Sequence, residues 1–230
     1  MSKNIAIILA GGSGSRLGNS TPKQFLRVAG KPVIAHSIDV FERCAEIDEI
    51  GIVSRADYID EVKQIVAQYG YKKVTQILSG GQERYDSSMA AINAYTQDDD
   101  RLLFHDAVRP LVTERIIHDC VQALSTYNAV DVAVPTTDTI IEVDDHNHIL
   151  HTPNRAQLRN VQTPQCFKRS TIARAYQLAL ADPHFMATDD CGVVRHYLPQ
   201  EPIFVVNGEP FNIKLTYAED LLLLETLLNR

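Results

Sequence analysis

The sequence predicts a three-layer α/β sandwich in which helices cover both faces of a mostly parallel sheet. Apolar, β-branched runs recur at residues 5–9, 50–53, 74–78, 102–104 and 130–134. Segments with helical periodicity lie between them, at residues 32–44, 58–69, 87–95 and 114–127. Because buried parallel strands are joined by crossover helices, this alternation is typical of a layered α/β fold.

Local signals define several helix starts and a C-terminal helix. Asp57 before Tyr58 and Thr113 before Glu114 are candidate N-caps, because Asp and Thr side chains accept hydrogen bonds from first-turn amides. The leucine-rich residues 217–228 predict a helix packed on the sheet. The chain has no internal repeat, low-complexity tract or linker, so residues 1–230 are expected to form a single domain.

After Pro135 the pattern changes to alternating β-branched and polar residues around a turn-rich centre at 144–147. This pattern predicts a β-hairpin, inserted as an arm at about residues 136–160. Apolar residues on a projecting arm need a cover, and a second copy of the chain is the natural candidate, so we expect a homodimer. An ordinary edge hairpin folded on its own domain is an equally open alternative.

Composition excludes several classes of function. A net charge of −7 disfavours a nucleic-acid surface, which needs clustered cations. The apolar run at residues 5–10 is too short to span a membrane and has no signal-peptide pattern, so we expect a cytoplasmic protein without membrane contact. The widely spaced cysteines favour reduced, mostly buried thiols over a zinc site or disulfides. They are Cys44, Cys120, Cys166 and Cys191.

The first predicted strand continues into a loop of small residues, A-G-G-S-G-S-R at 10–16. Small side chains allow backbone amides to approach phosphate oxygens, which makes an anion site. The spacing G-x-G-x-x-x-G misses the dinucleotide-binding fingerprint by one residue, and no G-K-[ST] follows, which excludes a P-loop. Arg16 and Lys23 add two cations to the same loop. The alternative is a tight turn with a solvated Arg and Lys.

This composite, L-A-G-G-x-G-x-R-[LM] followed by P-K, resembles the signature of nucleotidyltransferases that join a nucleoside monophosphate to a phosphorylated sugar or polyol. Its form is most similar to the cytidylyltransferases that act on 2-C-methyl-D-erythritol 4-phosphate or ribitol 5-phosphate. The resemblance implies the Rossmann-like fold of these enzymes, CTP as substrate, and nucleotide contacts from Ala10, Gly11, Gly12 and Gly14. It also implies that Arg16, Lys23 and Lys214 are the catalytic cations. Lys214 comes from the N-I-K-L-T match at residues 212–216, a β-like segment that we expect to form a strand.

A second segment, G-G-Q-E-R-Y-D-S at residues 80–87, matches the family pattern G-G-x-x-R-x-x-S. Ser87, near a predicted helix N-terminus, can donate to a phosphate that the helix dipole favours. The resemblance places Gly81, Gln82, Arg84 and Ser87 at the nucleotide. Taken alone, a G-G turn and a serine in a first helical turn are usually structural.

The third segment is H-D-A-V-R-P at residues 105–110. An apolar strand that ends in Asp places a carboxylate at the ligand-binding edge of an open α/β sheet. The resemblance implies that Asp106 binds Mg²⁺ and lies at the CTP phosphates, and that Arg109 holds the acceptor phosphate. The Arg fork suits that task because it grips phosphate with two hydrogen bonds. A turn-initiating role is the alternative for Asp106.

The acceptor site is expected around the arm. By resemblance, Thr139, Arg155 and Thr163 bind the polyol phosphate, partly across the dimer. For Thr139, a cross-strand packing role is almost as compatible with the sequence. The T-D-D element at residues 188–190 also matches the family, but a helix N-cap with acidic first-turn residues explains it, so we assign it no chemistry.

The expected reaction is in-line attack by an acceptor phosphate oxygen on the α-phosphorus of CTP, with pyrophosphate leaving. The attacking phosphate is already anionic near neutral pH, so no general base is required. Catalysis then depends on positioning and charge stabilisation by the three cations and Mg²⁺.

The identity of the acceptor is finely balanced in the sequence. The L-A-G-G form of the loop, together with residues 138–142 and 153–155, slightly favours ribitol 5-phosphate, the acceptor of wall and capsule pathways. Residues 188–190 and 212–216 fit the methylerythritol enzymes at least as well. Two other functions stay open: a nucleotide-binding regulator without the reaction, and a nucleotidyltransferase that uses another NTP such as UTP.

Overall fold

A computed structural model describes residues 2–12, 21–81, 83–186 and 189–229. The strands within these residues are β1 (Asn4–Ala10), β2 (Arg27–Val28), β3 (Lys31–Pro32), β4 (Glu49–Ser54), β5 (Val74–Ser79), β6 (Arg101–Asp106), β7 (Ala129–Pro135), β8 (Glu142–Val143), β9 (Ile149–His151), β10 (Arg159–Val161), β11 (Gln165–Lys168) and β12 (Ile203–Asn207). The α-helices are α1 (Val33–Arg43), α2 (Ile59–Tyr69), α3 (Arg84–Ala94), α4 (Glu114–Ala123), α5 (Arg169–Ala179), α6 (Asp190–Tyr197) and α7 (Glu219–Leu228).

The five predicted strands lie in one central sheet, which confirms the α/β prediction. Strand β1 pairs in parallel with β4 and β6, and β4 pairs in parallel with β5. On the other side of β6 follow β11 and β7, and β12 pairs in parallel with the far edge of β7. The carboxyl ends of β1, β4, β5 and β6 therefore meet at one edge of the sheet.

Helices cover both faces of the sheet, as the three-layer prediction requires. Successive side chains of β1 point to opposite faces because a strand repeats every two residues. Ile5, Ile7 and Leu9 pack with residues of α3, α5 and α6. Ala6, Ile8 and Ala10 pack with residues of α1, α2 and α4 on the other face. None of the helices in the described ranges is long and apolar enough to cross a membrane.

Three strands of the central sheet were not predicted: β10 and β11, which are antiparallel to their neighbours, and β12, which is parallel to β7. Strand β11 lies between β6 and β7 and runs antiparallel to both. Strand β10 pairs with the last residues of β7, and the short connection between β10 and β11 contains a cis peptide bond before Pro164. This connection brings Thr163 beneath the end of β6.

Helix boundaries match the sequence only in part. The Thr113 hydroxyl accepts a hydrogen bond from the amide of Ile116 at 3.3 Å, which confirms the predicted N-cap. The Asp57 cap is wrong, because Asp57 lies in a 3-10 turn and Tyr58 occupies the N-cap position of α2. Helix α3 begins three residues before the predicted start, since Glu83 and Asp86 form a reciprocal capping box.

Two expectations for the C-terminal region are wrong. Helix α7 does not pack on the main sheet: Leu224 is buried in a small cluster with Val28 and Leu215, whereas Leu222 is 76% exposed. Lys214 lies in an extended segment outside any strand, tied to the body by a hydrogen bond from the Leu215 amide to the Val108 carbonyl at 2.9 Å.

The predicted hairpin arm is confirmed. Strands β8 and β9 form their own two-stranded sheet, separate from the central one. The turn between them contains Asn147 in the left-handed region, with φ of 62°. Apolar side chains on the arm are exposed, including Ile149 at 64% and Leu150 at 67%. The arm therefore projects from the domain instead of folding onto it.

The cysteine prediction is also confirmed. All four thiols are free and buried. Burial raises the pKa of the Cys166 and Cys191 thiols well above the usual range, which keeps both groups neutral and unreactive.

Candidate active site

A pocket of about 340 Å³ lies at the carboxyl edge of the parallel strands. Loops that follow β1, β5 and β6 supply most of its lining, because parallel strands deliver their C-terminal loops to one edge. The pocket brings together nine of the residues predicted from the sequence: Ala10, Gly11, Gly12, Lys23, Gly81, Arg84, Ser87, Asp106 and Lys214. The predicted residues Gly14, Arg16 and Gln82 lie outside the described residues.

Asp106, the last residue of β6, is the centre of the charged part of this site. Its Oδ1 accepts a hydrogen bond from Arg84 Nη1 at 3.0 Å, and its Oδ2 accepts one from Lys214 Nζ at 2.8 Å. Arg109 Nε lies 3.7 Å from the same Oδ2. Three cations from separate parts of the chain thus converge on one carboxylate.

These charges determine the protonation state of the site. Burial alone would raise the pKa of Asp106, but the charges of Lys214 and Arg84, with a smaller effect of Arg109, hold that pKa far below its usual range. Burial would lower the pKa of Arg84, and the carboxylates of Asp190 and Asp106 outweigh it, so this pKa is raised. Asp106 is therefore ionised and Arg84 protonated at neutral pH.

Arg109 and Thr163, both predicted to bind the acceptor, lie directly behind Asp106. Arg109 Nη1 donates to the backbone carbonyl of Asn212 at 2.8 Å, which links β6 to the segment that carries Lys214. The Thr163 hydroxyl is buried and accepts a hydrogen bond from the Asp106 amide at 3.2 Å. Thr163 therefore fixes the backbone of Asp106, and Arg109 lies beside its carboxylate.

His105 is next to Asp106 but does not face the pocket. Its Nε2 lies 3.0 Å from the Arg109 carbonyl oxygen, which can only accept, so Nε2 carries the proton. Its Nδ1 is 2.9 Å from the Thr163 hydroxyl. Burial lowers the pKa of His105 to about 4, so the imidazole is neutral at pH 7. This fully buried histidine serves the structure, which agrees with a reaction that needs no general base.

Glycines allow the loops after β1 and β5 to approach helix α3 closely. A Cβ on Gly11 would lie 3.2 Å from the Ser87 hydroxyl, and a Cβ on Gly80 would lie 2.5 Å from it. A Cβ on Gly81 would overlap the Asp86 side chain that caps α3. Gln24 Nε2 donates to the Ala10 carbonyl at 2.8 Å and thereby fixes the end of β1.

Thr139 and Arg155, the remaining predicted acceptor residues, lie elsewhere in the chain. Both are exposed on the arm, and Arg155 Nη1 donates to the Thr137 carbonyl at 3.2 Å. A second pocket of about 420 Å³ at the base of the arm is lined by Pro135, Thr136, Asn154, Arg155, Ala156 and Arg159. One chain therefore does not bring these two residues together with Asp106.

Two residues of the site were missed by the sequence analysis. Arg55, directly after β4, lines the pocket, and its position at the end of a predicted parallel strand was the available signal. Asp190 is fully buried and accepts a hydrogen bond from Arg84 Nη2 at 3.0 Å. It belongs to the T-D-D element, for which the sequence predicts a helix cap. Its first carboxylate, Asp189, does cap α6 by accepting from the Gly192 amide at 2.8 Å.

The donor set at Asp106 fits Mg²⁺ when a nucleotide is bound. The described residues contain no group of three or more His, Cys, Asp or Glu side chains suited to hold a metal alone. Mg²⁺ is usually held by one or two carboxylates, with substrate phosphates and water completing its shell. An ionised Asp106 beside a pocket of backbone amides and cations matches that arrangement.

Comparison with known proteins agrees with this site. Residues 4–230 match the family model described as 2-C-methyl-D-erythritol 4-phosphate cytidylyltransferase. A protein of that name from Thermobifida fusca is 46% identical over 97% of this chain and 92% of its own length. A bifunctional ribulose 5-phosphate reductase/CDP-ribitol pyrophosphorylase of Haemophilus influenzae is 43% identical over 98% of this chain, which spans 48% of that relative.

A solved structure gives the same result. The 4-diphosphocytidyl-2C-methyl-D-erythritol synthase of Anaerococcus prevotii superposes with a TM-score of 0.88 and 32% identity, covering 100% of this chain and 97% of that chain. The predicted resemblance and the predicted enzyme class are therefore confirmed. With nine of the predicted residues around one pocket and residues 4–230 matched to the family model, the chain belongs to the 2-C-methyl-D-erythritol 4-phosphate cytidylyltransferase family.

Proposed function

We propose that this CTP-dependent cytidylyltransferase uses 2-C-methyl-D-erythritol 4-phosphate as its polyol phosphate acceptor. The observation that carries the choice is the match of residues 4–230 to the family model of that description, joined by a relative of the same name that is 46% identical. Ribitol 5-phosphate, which the loop and arm motifs slightly favour, is therefore the second candidate.

The proposed reaction forms one bond and breaks one. An oxygen of the acceptor phosphate bonds to the α-phosphorus of CTP, while the bond from that phosphorus to the bridging oxygen of the β-phosphate breaks. Pyrophosphate leaves with the electron pair. No proton has to move, which suits a pocket whose neighbouring histidine is neutral and buried.

Charge and position supply the catalysis in this proposal. Lys23 and Lys214 line the same pocket as Asp106 and would stabilise the charge that develops on the transferred group. Arg16 is assigned the same task from its motif alone. Asp106 would hold Mg²⁺, which when bound neutralises charge on the triphosphate. Backbone amides at Gly11 and Gly12, which line the pocket, would bind phosphate oxygens.

The acceptor side is proposed to be completed by a second copy of the chain. Thr139 and Arg155 lie on the exposed arm, away from the pocket of their own chain, while Arg109 and Thr163 lie at Asp106. Exposed apolar side chains on the arm, such as Ile149 and Leu150, would be covered in a homodimer. An arm that crosses to the partner would bring the acceptor residues to the partner's Asp106 pocket.

Ribitol 5-phosphate is the second candidate acceptor. It is favoured by the Haemophilus influenzae relative, whose name includes CDP-ribitol pyrophosphorylase and which is 43% identical over 98% of this chain. A nucleotide-binding regulator is disfavoured because Lys23 and Lys214 are both retained in the pocket. A different NTP would leave the phosphate contacts unchanged and alter the base contacts alone.

A parallel assay tests the proposal. Pyrophosphate release is followed with Mg²⁺, CTP and either acceptor, with UTP, ATP and GTP as nucleotide controls. We expect kcat/KM with CTP and 2-C-methyl-D-erythritol 4-phosphate to exceed that with ribitol 5-phosphate by at least about tenfold, the lower end of the discrimination that a small structural difference between substrates allows. The reverse ratio would replace the acceptor by ribitol 5-phosphate. Turnover with UTP instead of CTP would contradict the nucleotide assignment.

A further inference from the structure

We infer that Asp190 is a positioning residue for cytidylyl transfer, which acts by holding Arg84 against Asp106. The inference rests on the proposed function, because it assigns Arg84 and Asp106 to the nucleotide and its metal. It gives a role in the reaction to Asp190, the last residue of the T-D-D element, for which the sequence alone predicts a helix cap.

Arg84 bridges two carboxylates that lie far apart in the sequence. One end of its guanidinium, Nη1, donates to Asp106 Oδ1 at 3.0 Å on the pocket side. The other end, Nη2, donates to Asp190 Oδ2 at 3.0 Å on the core side. The third nitrogen, Nε, is buried and has no hydrogen-bond partner among the described residues. The orientation of the guanidinium is therefore set by the two carboxylates.

Asp190 is itself held in place from the core. The Tyr176 hydroxyl donates to Asp190 Oδ1 at 2.7 Å, and the Asp190 amide donates to Gln165 Oε1 at 3.1 Å. Both carboxylate oxygens thus have a donor, one from Tyr176 and one from Arg84. A fully buried carboxylate is costly unless it is paired, so this geometry is strongly maintained.

The two carboxylates have different tasks when the nucleotide binds. The Asp106 carboxylate would bind Mg²⁺ as well as Arg84. The Asp190 carboxylate lies in the core and contacts Arg84 and Tyr176. If Asp190 lost its charge, Arg84 would be left with one carboxylate partner among the described residues, Asp106. Arg84 would then compete with Mg²⁺ for Asp106 and would shift from its position beside the triphosphate.

The first test compares Asp190→Asn with Asp189→Asn. Both variants remove one carboxylate charge at the start of α6. Asp189 caps the helix, and Asn is equally suited to that position. Among the interactions described, Asp189 contacts Gln165 and makes no contact with Arg84. For Asp190→Asn we expect the Mg²⁺ concentration that supports half-maximal CTP binding to rise, and kcat/KM to fall, by about 10- to 100-fold, the usual effect of losing an orienting partner behind a metal ligand. Asp189→Asn should leave both within about twofold.

The second test is a double-mutant cycle. If Asp190 acts through Arg84, then Arg84→Gln combined with Asp190→Asn should bind CTP and Mg²⁺ no worse than Arg84→Gln alone. Should Asp190→Asn fail to fold, Tyr176→Phe, which removes one donor to Asp190, should shift the Mg²⁺ dependence in the same direction by a smaller factor.

The outcomes separate this inference from the proposed function. CTP and Mg²⁺ binding is measured by calorimetry without an acceptor, so it tests Asp190 even if the acceptor assignment fails. A wild type that binds CTP but uses neither acceptor would contradict the proposed function alone. An Mg²⁺ dependence of Asp190→Asn equal to that of Asp189→Asn, or additive effects in the double variant, would overturn the role of Asp190.

Discussion

Replacing Asp131 by Asn should make the free energy of unfolding fall more on mild acidification than it does in the wild type. Asp131 lies on β7 and is 8% exposed. Burial, helped by the negative charge of Asp189, raises the pKa of Asp131 to about 6, against hydrogen bonds from Gln165 and the Val132 amide. Cys191 also faces this carboxyl. Asn keeps the shape and both hydrogen bonds and removes the titration.

The sign and size follow from proton linkage. The pKa of Asp131 is about 6 in the folded state and about 3.9 in an unfolded chain, so the folded protein binds the extra proton between those pH values. Its contribution to stability is fully present below about pH 4 and is lost as the pH rises through about 6. One pKa unit corresponds to about 1.4 kcal/mol, so the contribution is about 3 kcal/mol.

His105 acts in the opposite direction over nearly the same range. Burial lowers its pKa to about 4, against about 6.5 in an unfolded chain. The unfolded chain then binds the extra proton, and about 3 kcal/mol of stability is lost as the pH falls from about 6.5 to about 4. In the wild type the contributions of Asp131 and His105 largely offset each other.

Urea unfolding between about pH 4 and pH 7 measures both effects. The free energy of unfolding of Asp131→Asn, relative to the wild type at the same pH, should fall by about 2 kcal/mol from about pH 6.5 to about pH 4, since about half of the unfolded-state Asp131 is still ionised at that lower pH. For His105→Gln the same difference should rise by a similar amount. Because the wild-type free energy of unfolding is subtracted at each pH, the contributions of the other carboxylates cancel. Parallel curves for wild type and Asp131→Asn would refute the argument, because they would mean that Asp131 titrates with the same pKa in both states.

Three further outcomes are expected. Lys23→Ala and Lys214→Ala should each lower kcat for pyrophosphate release by about tenfold to a thousandfold, the scale of losing one charge contact in the transition state, and unchanged turnover in a folded variant would remove that lysine from the mechanism. Gly81→Ala should weaken CTP binding, measured by titration, because its Cβ overlaps the Asp86 side chain, and wild-type affinity would show that the loop can move aside. Thr113→Ala should cost about 1 kcal/mol in urea unfolding and leave kcat/KM unchanged, since Thr113 caps α4 and does not line the pocket.

The sequence revealed those parts of the fold that local patterns encode. Runs such as residues 5–9 are apolar on both faces because helices cover both sides of the sheet, so the five predicted strands match the structure within one or two residues at each end. The parallel strand β12 was not predicted, and three of its five residues are exposed. Strand β11 was missed because its position between β6 and β7 depends on long-range pairing. The leucines of α7 indicated a buried face, but sequence does not say what it packs on, and Leu222 is largely exposed.

The same limit applies to the site. Asp106 was found because an apolar strand ends on a charged residue at the edge where parallel strands meet. Lys214 was found through its motif, although its predicted strand does not exist, since an extended segment without a pairing partner has the same pattern of residues. The role of Asp190 was missed because its contact with Arg84 joins positions 106 residues apart in the chain. Local sequence patterns therefore identify Asp106 and Lys214 as site residues, whereas their contacts with residues distant in the sequence are seen only in the structure.

The most direct test of the central claim compares the wild type with Asp106→Asn in the presence of CTP, Mg²⁺ and each of the two acceptors. Pyrophosphate release and formation of the CDP-polyol are measured together, and circular dichroism confirms that the variant is folded. We expect the wild type to release one pyrophosphate for each CDP-polyol formed, and Asp106→Asn to lose activity by at least about a hundredfold. A folded Asp106→Asn protein with wild-type turnover would contradict a reaction centred on this carboxylate.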